Sequence, residues 1–382
     1  MTLSHWQRSH SFASTEINTD VVILGGGFVG LSTAYWITEL CPGVKVTVIE
    51  RRLCGEGASG RNAGFLTKGS AAFYRYLTRT WGLEKALSIS EFAQTSLELL
   101  HHQILKASPE IKFDKTFSMT LLKKGTDRRI WEDEFPVGQF GFEWRDNLSF
   151  DSFEGGYEYA PEYKINPLQL LTSLKKLLEG RKVQVIENVS GFEITPEGCR
   201  TELHLIRAKK VILALNGYAS EFHPSFKEVF YPKRAQMLAV ELETDLEHQG
   251  LYYDPDDKVY WRRASDRVLL IGGKRLLDAT GEVGVFDKIS PVIQEGLENY
   301  LTDELGIKYK VIHRWSGIMG FTKTELPLIE KLNAPLEAYV VGGFSGHGMG
   351  FGFHSAKEMA ELIAGHKQQS FFSSFNKETI KL

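Results

Sequence analysis

The chain has 382 residues, 42% of them hydrophobic and 24% charged, with a formal net charge of −3. That length corresponds to about two domains or one large composite, and the composition excludes a disordered chain, a coiled coil and a fibrous repeat. The charge balance gives no footprint for duplex nucleic acid, and three scattered cysteines (Cys41, Cys54, Cys199) are too few for a disulfide framework or a zinc site.

The cysteine usage fits a reducing, cytoplasmic compartment. The N-terminal twenty residues lack an apolar core, so they do not read as a signal peptide. Residues 1–19 read as a polar arm. Residues 21–38 and 338–356 lack Asp, Glu, Lys and Arg, but glycine clusters interrupt both. They read as buried strand–turn–helix units, so no membrane span is expected.

In chain order, residues 20–24 (DVVIL) form a short β-branched run. Three glycines follow, and then LSTAYWITEL places apolar side chains at helical spacing. Residues 44–50 (VKVTVIE) are a second strand, which completes a βαβ unit. Residues 71–107 read as helix. Residues 113–122 alternate as an antiparallel strand. Residues 167–178 form an amphipathic helix, with Asn166 as N-cap and Pro167 at the first position. Residues 183–186 and 210–215 are strands, the latter ending at Asn216-Gly217. Alternating text returns between about 230 and 315, and a buried strand at 338–341 runs into GGFSGHGMG and a helix, AKEMAELIAG. The order implies a discontinuous protein. Residues 1–70, 166–228 and 317–382 form a dinucleotide-binding domain, and residues 71–165 and 229–316 form a second domain.

Gly25-Gly26-Gly27-Phe28-Val29-Gly30 matches G-x-G-x-x-G between a strand and a helix. Gly25 makes the tight turn, Gly27 lets the backbone approach a pyrophosphate, and Gly30 lets helix pack on strand. The helix N-terminus offers N–H groups and partial positive charge to the phosphates. Glu50 ends the second strand and is placed to accept hydrogen bonds from a ribose diol. A carboxylate there disfavours a 2′-phosphate despite Arg51 and Arg52. The motif alone does not separate FAD from NAD. The loop GEGASGRNAGFL (residues 55–66) presents backbone rather than bulk, with Ser59, Arg61 and Asn62 as donors. By composition it reads equally as a surface loop.

Taken together, DVVILGGGFVGLSTAYWI, VTVIE, GASGRNAGF, RWSGIMGFTKTELPLI and GGFSGHGMGF resemble the FAD-dependent amine and D-amino acid oxidase (DAO) family. The resemblance is strongest to its gamma-glutamylputrescine oxidase-like and glycine/sarcosine oxidase-like members. It covers nearly the whole chain, and it is weaker in the middle. It implies a mixed α/β fold. In that fold a Rossmann-like FAD-binding domain of the glutathione-reductase type is interleaved with a mainly antiparallel β-sheet substrate domain. It implies that Gly25, Gly27, Phe28, Val29, Gly30, Glu50 and Arg51 hold the ADP half of FAD. Ser59, Arg61, Asn62, Ala63 and Gly64 would lie along the pyrophosphate and the reactive ring edge. Val189 would contact adenine through its backbone, and Asn216-Gly217 would pack near the cofactor. Gly317, Gly346, His347, Gly348 and Met349 would border the flavin, with a helix N-terminus at its pyrimidine end. His347 fits either a catalytic or a cofactor-contacting role.

The departures from the family pattern carry information. The Cys that attaches flavin in some members aligns with Gly317, and the loop after Glu50 has no His. Noncovalent FAD is therefore expected. The Arg that holds an α-carboxylate aligns with Met319, and an alternative Lys aligns with Gly350. A carboxylate buried without a cation is costly. Either the substrate lacks an α-carboxylate at that place, or Lys274, Arg262, Arg263 or Arg61 has taken over. The oxygen-activating Lys of some members aligns with Leu270, which leaves O2 or another electron acceptor open.

The resemblance implies hydride transfer from the carbon of a C–N bond in a small amine or amino acid to flavin N5, followed by imine hydrolysis. Pocket candidates are Arg61, Tyr260, Trp261, Lys274, Met319 and His347, and only one of Tyr260 and Trp261 can face the flavin on an alternating strand. Competing readings are a flavoenzyme acting on an aminomethyl group of tRNA, a non-catalytic flavin-binding redox partner, and an NAD-dependent dehydrogenase. The net charge opposes the first, and the C-terminal glycine motif opposes the last.

Overall fold

The computed structural model describes residues 15–146, 148, 150–243, 246 and 248–376. The β-branched segments predicted from the sequence build a six-stranded sheet. Its strand order is Leu328–Leu332, Glu337–Gly342, Lys210–Leu213, Val21–Leu24, Val46–Ile49, Gln184–Ile186. All neighbours pair in parallel except the Leu328–Leu332 edge. Val21–Leu24, Val46–Ile49 and most of Glu337–Gly342 are buried, as parallel strands covered on both faces must be.

One face is covered by the helices Phe28–Leu40 and Gly348–Ala364, which pack directly on each other. Phe353 meets Trp36 at a ring distance of 5.2 Å, and Trp36 Nε1 donates to the Phe353 carbonyl at 3.1 Å. The other face is covered by a small sheet of Thr15–Asn18, His204–Arg207, Gly198–Arg200 and Glu193–Thr195.

The alternating segments build a nine-stranded, mainly antiparallel sheet. Tyr309–Phe321, Tyr231–Leu242, Val268–Gly273 and Val259–Arg263 lie side by side, and Leu251–Asp254 joins them to Phe113–Lys123 by a parallel pairing. One face packs on the Pro291–Asp303 helix through Ile293, Leu297 and Tyr300. The opposite face turns toward the glycine-rich segments. The Tyr309–Phe321 strand runs through residue 317 without a break.

Three local expectations are corrected. Residues 15–18 of the expected arm are a strand, paired in parallel with His204–Arg207, while residues 1–14 lie outside the described residues. The expected helix over 71–107 is two helices, Ala71–Trp81 and Leu83–Leu100, that meet at Gly82, followed by a π turn at His101–Leu105. The last helix starts at Gly348, inside the glycine motif, rather than after it. Asn166 does cap its helix, and its side-chain oxygen accepts from the N–H groups of Leu168 and Gln169.

Candidate active site

The first glycine turn is set by close approach. Gly25 has φ +115°, and a Cβ on Gly30 would lie 1.9 Å from the Gly25 carbonyl oxygen. The helix can start this near the strand only with glycine at position 30. Gly27 gives the helix no side-chain cap, and its first turn has no acidic residue. The Phe28 N–H donates to Ser59 Oγ at 2.9 Å, which draws the following loop over the helix N-terminus.

Glu50 lies beside the same turn. Its Oε2 accepts from the Gly26 N–H at 2.7 Å and its Oε1 from the Arg52 N–H at 2.9 Å. Each oxygen keeps a lone pair for a further donor such as a ribose hydroxyl. The Val189 N–H donates to the Glu50 carbonyl at 3.0 Å, so an adenine contact would fall to the Val189 carbonyl. Arg51 lies over the Tyr218 ring at 4.6 Å and 4.0 Å from Glu221, at the rim of this region.

The loop after Glu50 is ordered by its own donors and acceptors. Ala58–Arg61 forms one helical turn. Asn62 closes it, donating to the Ser59 carbonyl at 2.7 Å and accepting from the Gly64 N–H at 2.8 Å. Arg61 donates to Asp287 at 2.6 Å, to the Ser316 carbonyl at 2.9 Å and to the Glu56 carbonyl at 2.8 Å. It ties the loop to the large sheet beside Gly317.

Between this loop, the C-terminal glycine motif and the open face of the large sheet lies a cavity of about 470 Å³. Arg61, Asn62, Ala63, Gly317, Met319, Gly346, His347 and Met349 line it, as does Tyr260. The structure therefore brings most of the loop and flavin-edge candidates to one place. Gly25, Gly27, Phe28, Val29, Gly30, Glu50 and Val189 lie away from this cavity, on the strand–helix side of the same loop. Asn216 fixes the wall from outside. Its side-chain oxygen accepts from the Gly343 N–H at 3.0 Å, and a Cβ on Gly217 would meet the Met319 carbonyl at 2.9 Å.

His347 is the N-cap of the Gly348–Ala364 helix and lines the cavity. Burial pushes it down to about 4, assisted by the Arg275 charge and opposed by the Ser345 backbone. It is therefore neutral near pH 7. Its ring stacks on Phe73 at 4.0 Å, and its Nδ1 is buried without a hydrogen-bond partner. The first-turn N–H groups of Gly348 and Met349 have no intrahelical acceptors. An electron-rich ligand edge would satisfy both.

Two pocket candidates are corrected. Trp261 points to the other face of its strand. It is fully buried against the Pro291–Asp303 side and stacks on Tyr252 at 4.0 Å. Lys274 has φ +53°, and its ammonium pairs with Asp257 at 2.5 Å outside the cavity. Arg262 and Arg263 are also not available as carboxylate ligands. Arg262 is buried and donates to the carbonyls of Ala63, Ile165 and Arg263. Burial lowers it to about 10. Arg263 donates to backbone carbonyls at Leu246, Ser265 and Asp266. Of the four substitute cations, Arg61 alone lines the cavity, and it is held by Asp287.

The sequence reading missed the cations that do enter. Lys258 and Arg275 line the cavity, with Tyr76, Tyr253, Phe321 and Glu325. Lys258 ends the turn before the Val259–Arg263 strand and Arg275 opens a short 3-10 turn after the Val268–Gly273 strand, where no periodicity marks direction.

The donor set fits FAD. The helix N-terminus without an acidic residue, the Gly25–Gly30 contact and the Glu50 carboxylate suit an ADP moiety, and the orphaned His347 Nδ1 and the free N–H groups beside it suit the polar edge of a flavin. Among the described residues no group of His, Cys, Asp and Glu could hold a metal ion, and no helix is long and apolar enough to cross a membrane.

Known proteins agree with this arrangement. The chain is 25% identical over 374 residues to gamma-glutamylputrescine oxidoreductase of Escherichia coli, covering 92% of this chain and 85% of that protein. Its fold is similar to glycine oxidase from Geobacillus kaustophilus, with a TM-score of 0.76, 16% identity, and coverage of 95% and 99% of the two chains. It is also similar to L-proline dehydrogenase from P. horikoshii, with a TM-score of 0.75, 18% identity, and coverage of 94% and 97%. The family model for FAD dependent oxidoreductases (DAO) matches residues 20–362. With that match spanning most of its length, the chain belongs to the DAO family of FAD-dependent oxidoreductases.

Proposed function

We propose that this oxidoreductase oxidises the C–N bond of a small amine or amino acid, with FAD held noncovalently and the product imine hydrolysed in water. The observation that carries the reading is the cavity itself. It joins the loop after Glu50 and the Gly348–Ala364 helix N-terminus to an apolar sheet face in one continuous cavity. The similarity to an oxidoreductase named for gamma-glutamylputrescine supports an amine substrate.

FAD, when bound, supplies the hydride acceptor. The chain supplies orientation, dryness and charge. Phe65, Phe73, Ala235, Met237 and Tyr260 wall the cavity with apolar surface and exclude water. Ala235 and Met237 stand two residues apart on one strand, and Met237 is fixed by the Tyr260 hydroxyl, which donates to its Sδ at 3.3 Å. Lys258, Arg275 and the helix N-terminus make the cavity electropositive. A positive surrounding disfavours an ammonium, so the bound amine is held as the neutral base, the form that can lose hydride. The same field stabilises negative charge at the helix end of the site. His347 is neutral and acts by hydrogen bonding through Nδ1. No side chain is required as a general base.

The glycine turn, Glu50, Ser59 and the Val189 carbonyl hold the ADP half in this proposal. Asn62, Ala63, Gly64, Gly317 and Gly346–Met349 border the ring. Segments 1–70, 166–228 and 317–382 would form the cofactor-binding domain, with 71–165 and 229–316 forming the substrate domain. The strands of the six-stranded sheet support that division. A cytoplasmic location is supported by three unpaired thiols.

The test is an oxygen-free mixture of the purified holoenzyme with a panel of primary and secondary amines. One carbonyl product should form per flavin bleached, with release of ammonia from a primary amine or of the smaller amine from a secondary one. Bleaching by hydroxy acids and by no amine would overturn the reading.

A further inference from the structure

Arg275 stands apart from the other arginines near the site. Arg61, Arg234, Arg262, Arg263 and Arg314 all have their donors engaged by carbonyls or carboxylates. Arg275 lines the cavity, and among the described residues its guanidinium meets no hydrogen-bond acceptor and no carboxylate. It lies over the Phe321 ring, 4.8 Å from the guanidinium carbon to the ring centre. Its charge acts on Tyr253, Tyr260 and His347, all of which line the same cavity. Lys258 lines the cavity too, again with no ion-pair partner among the described residues. A half-buried guanidinium with five donors left unengaged by the protein is placed to receive a planar acceptor in the cavity.

The location is as informative as the charge. The cation expected by resemblance would stand at position 319, where there is Met319. Phe321 lies on the same face of the same strand, one side-chain repeat further, about 7 Å along. Met319 borders Gly346, and a Cβ there would lie 3.7 Å from the Met319 sulfur. The positive charge has therefore moved away from the helix N-terminus toward the Tyr253–Phe321 end of the cavity.

We propose that Arg275, assisted by Lys258, binds a carboxylate that the substrate carries several bonds away from the carbon that is oxidised. This rests on the reading of the cavity as an amine-oxidising site. Arg275 presents a planar fork that matches a carboxylate. Glu325 lines the same cavity and opposes a second negative charge, which favours a monoanionic carboxylate over a dianionic phosphate. The Phe321 ring covers one side of the guanidinium, 4.8 Å from its central carbon, and leaves the rest of the group to the cavity. Arg275 is then a specificity-determining residue, and an α-carboxylate next to the reacting carbon is not what this cavity measures.

The experiment uses unreactive ligands on the holoenzyme, so it does not depend on finding the substrate. Straight-chain carboxylates from acetate to hexanoate, the alkylamines of equal length, and inorganic phosphate are titrated while the flavin absorption band is followed. The expected result is saturable perturbation by carboxylates, tightest for a chain longer than acetate. R275M weakens that binding tenfold or more, R275K partly restores it, and K258M weakens it less. Among the described residues Arg275 makes no hydrogen bond or ion pair, and methionine can still pack on Phe321, so R275M is expected to fold, and its unaltered flavin content checks this. Equal carboxylate affinity in the wild type and R275M would overturn the proposal, as would tightest binding of acetate or of phosphate. Failure of every amine to bleach the flavin would sink the proposed reaction, whereas an unchanged R275M affinity sinks the carboxylate site alone.

Discussion

His347 lies flat on Phe73, with ring centroids 4.0 Å apart and planes 25° apart. The two residues come from opposite ends of the chain and close the cavity where the Ala71–Trp81 helix meets the Gly348–Ala364 helix. The contact is apolar on one side, and the orphaned Nδ1 marks the side left for a ligand.

That burial gives a pH dependence. His347 is lowered to about 4, chiefly by desolvation. In the unfolded chain a histidine binds a proton near pH 6.5. Between those values the unfolded state holds more protons, so stability rises with pH. Its contribution is fully present above about pH 6.5 and is lost as pH falls toward 4, by on the order of 3 kcal/mol in total. Urea unfolding of the FAD-free protein at pH 4.5 and pH 7 should show a smaller pH difference in H347Q than in wild type. An equal difference in the two proteins would contradict the assignment.

Gly30→Ala tests the glycine turn. Its Cβ would collide with the Gly25 carbonyl, so the helix must move from the strand. Overpacking of this kind costs about 1–3 kcal/mol. FAD affinity should fall tenfold or more, measured by fluorescence titration of the apoprotein. Unaltered affinity would mean the turn does not hold the cofactor.

Tyr260 and Trp261 are neighbours with opposite expected effects. Trp261 is fully buried in the core below the sheet, and W261A should cost about 3–5 kcal/mol in urea unfolding. Tyr260 faces the cavity, and Y260A should raise KM for the substrate with a smaller loss of stability. A stable but inactive W261A would place Trp261 on the wrong face.

The alternation that separated these two residues was legible in the sequence, and so were the glycine turn, Glu50 and the Asn166 cap. Each is a local pattern with a physical reason. Arg275 was not legible. Lys274 beside it has a left-handed φ of +53°, which turns its own ammonium to Asp257 and sends the next side chain into the cavity. No periodicity encodes such a reversal. The Thr15–Asn18 strand was missed for a similar reason, since its partner lies at His204–Arg207, far along the chain.

The flavin should be releasable. No cysteine lines the cavity, Gly317 stands where an attachment residue would be, and burial pushes the Cys54 and Cys199 thiols up, away from the reactive thiolate. Acid precipitation should leave the yellow colour in the supernatant. Colour retained in the pellet would contradict this.

The most direct measurement of the whole account is the flavin absorbance of the holoenzyme mixed with amines in the absence of oxygen. Bleaching by an amine bearing a remote carboxylate, at least tenfold faster at low concentration than by the same amine without it, is the expected result. A flavin that no amine bleaches, while a hydroxy acid does, would contradict C–N oxidation in this cavity.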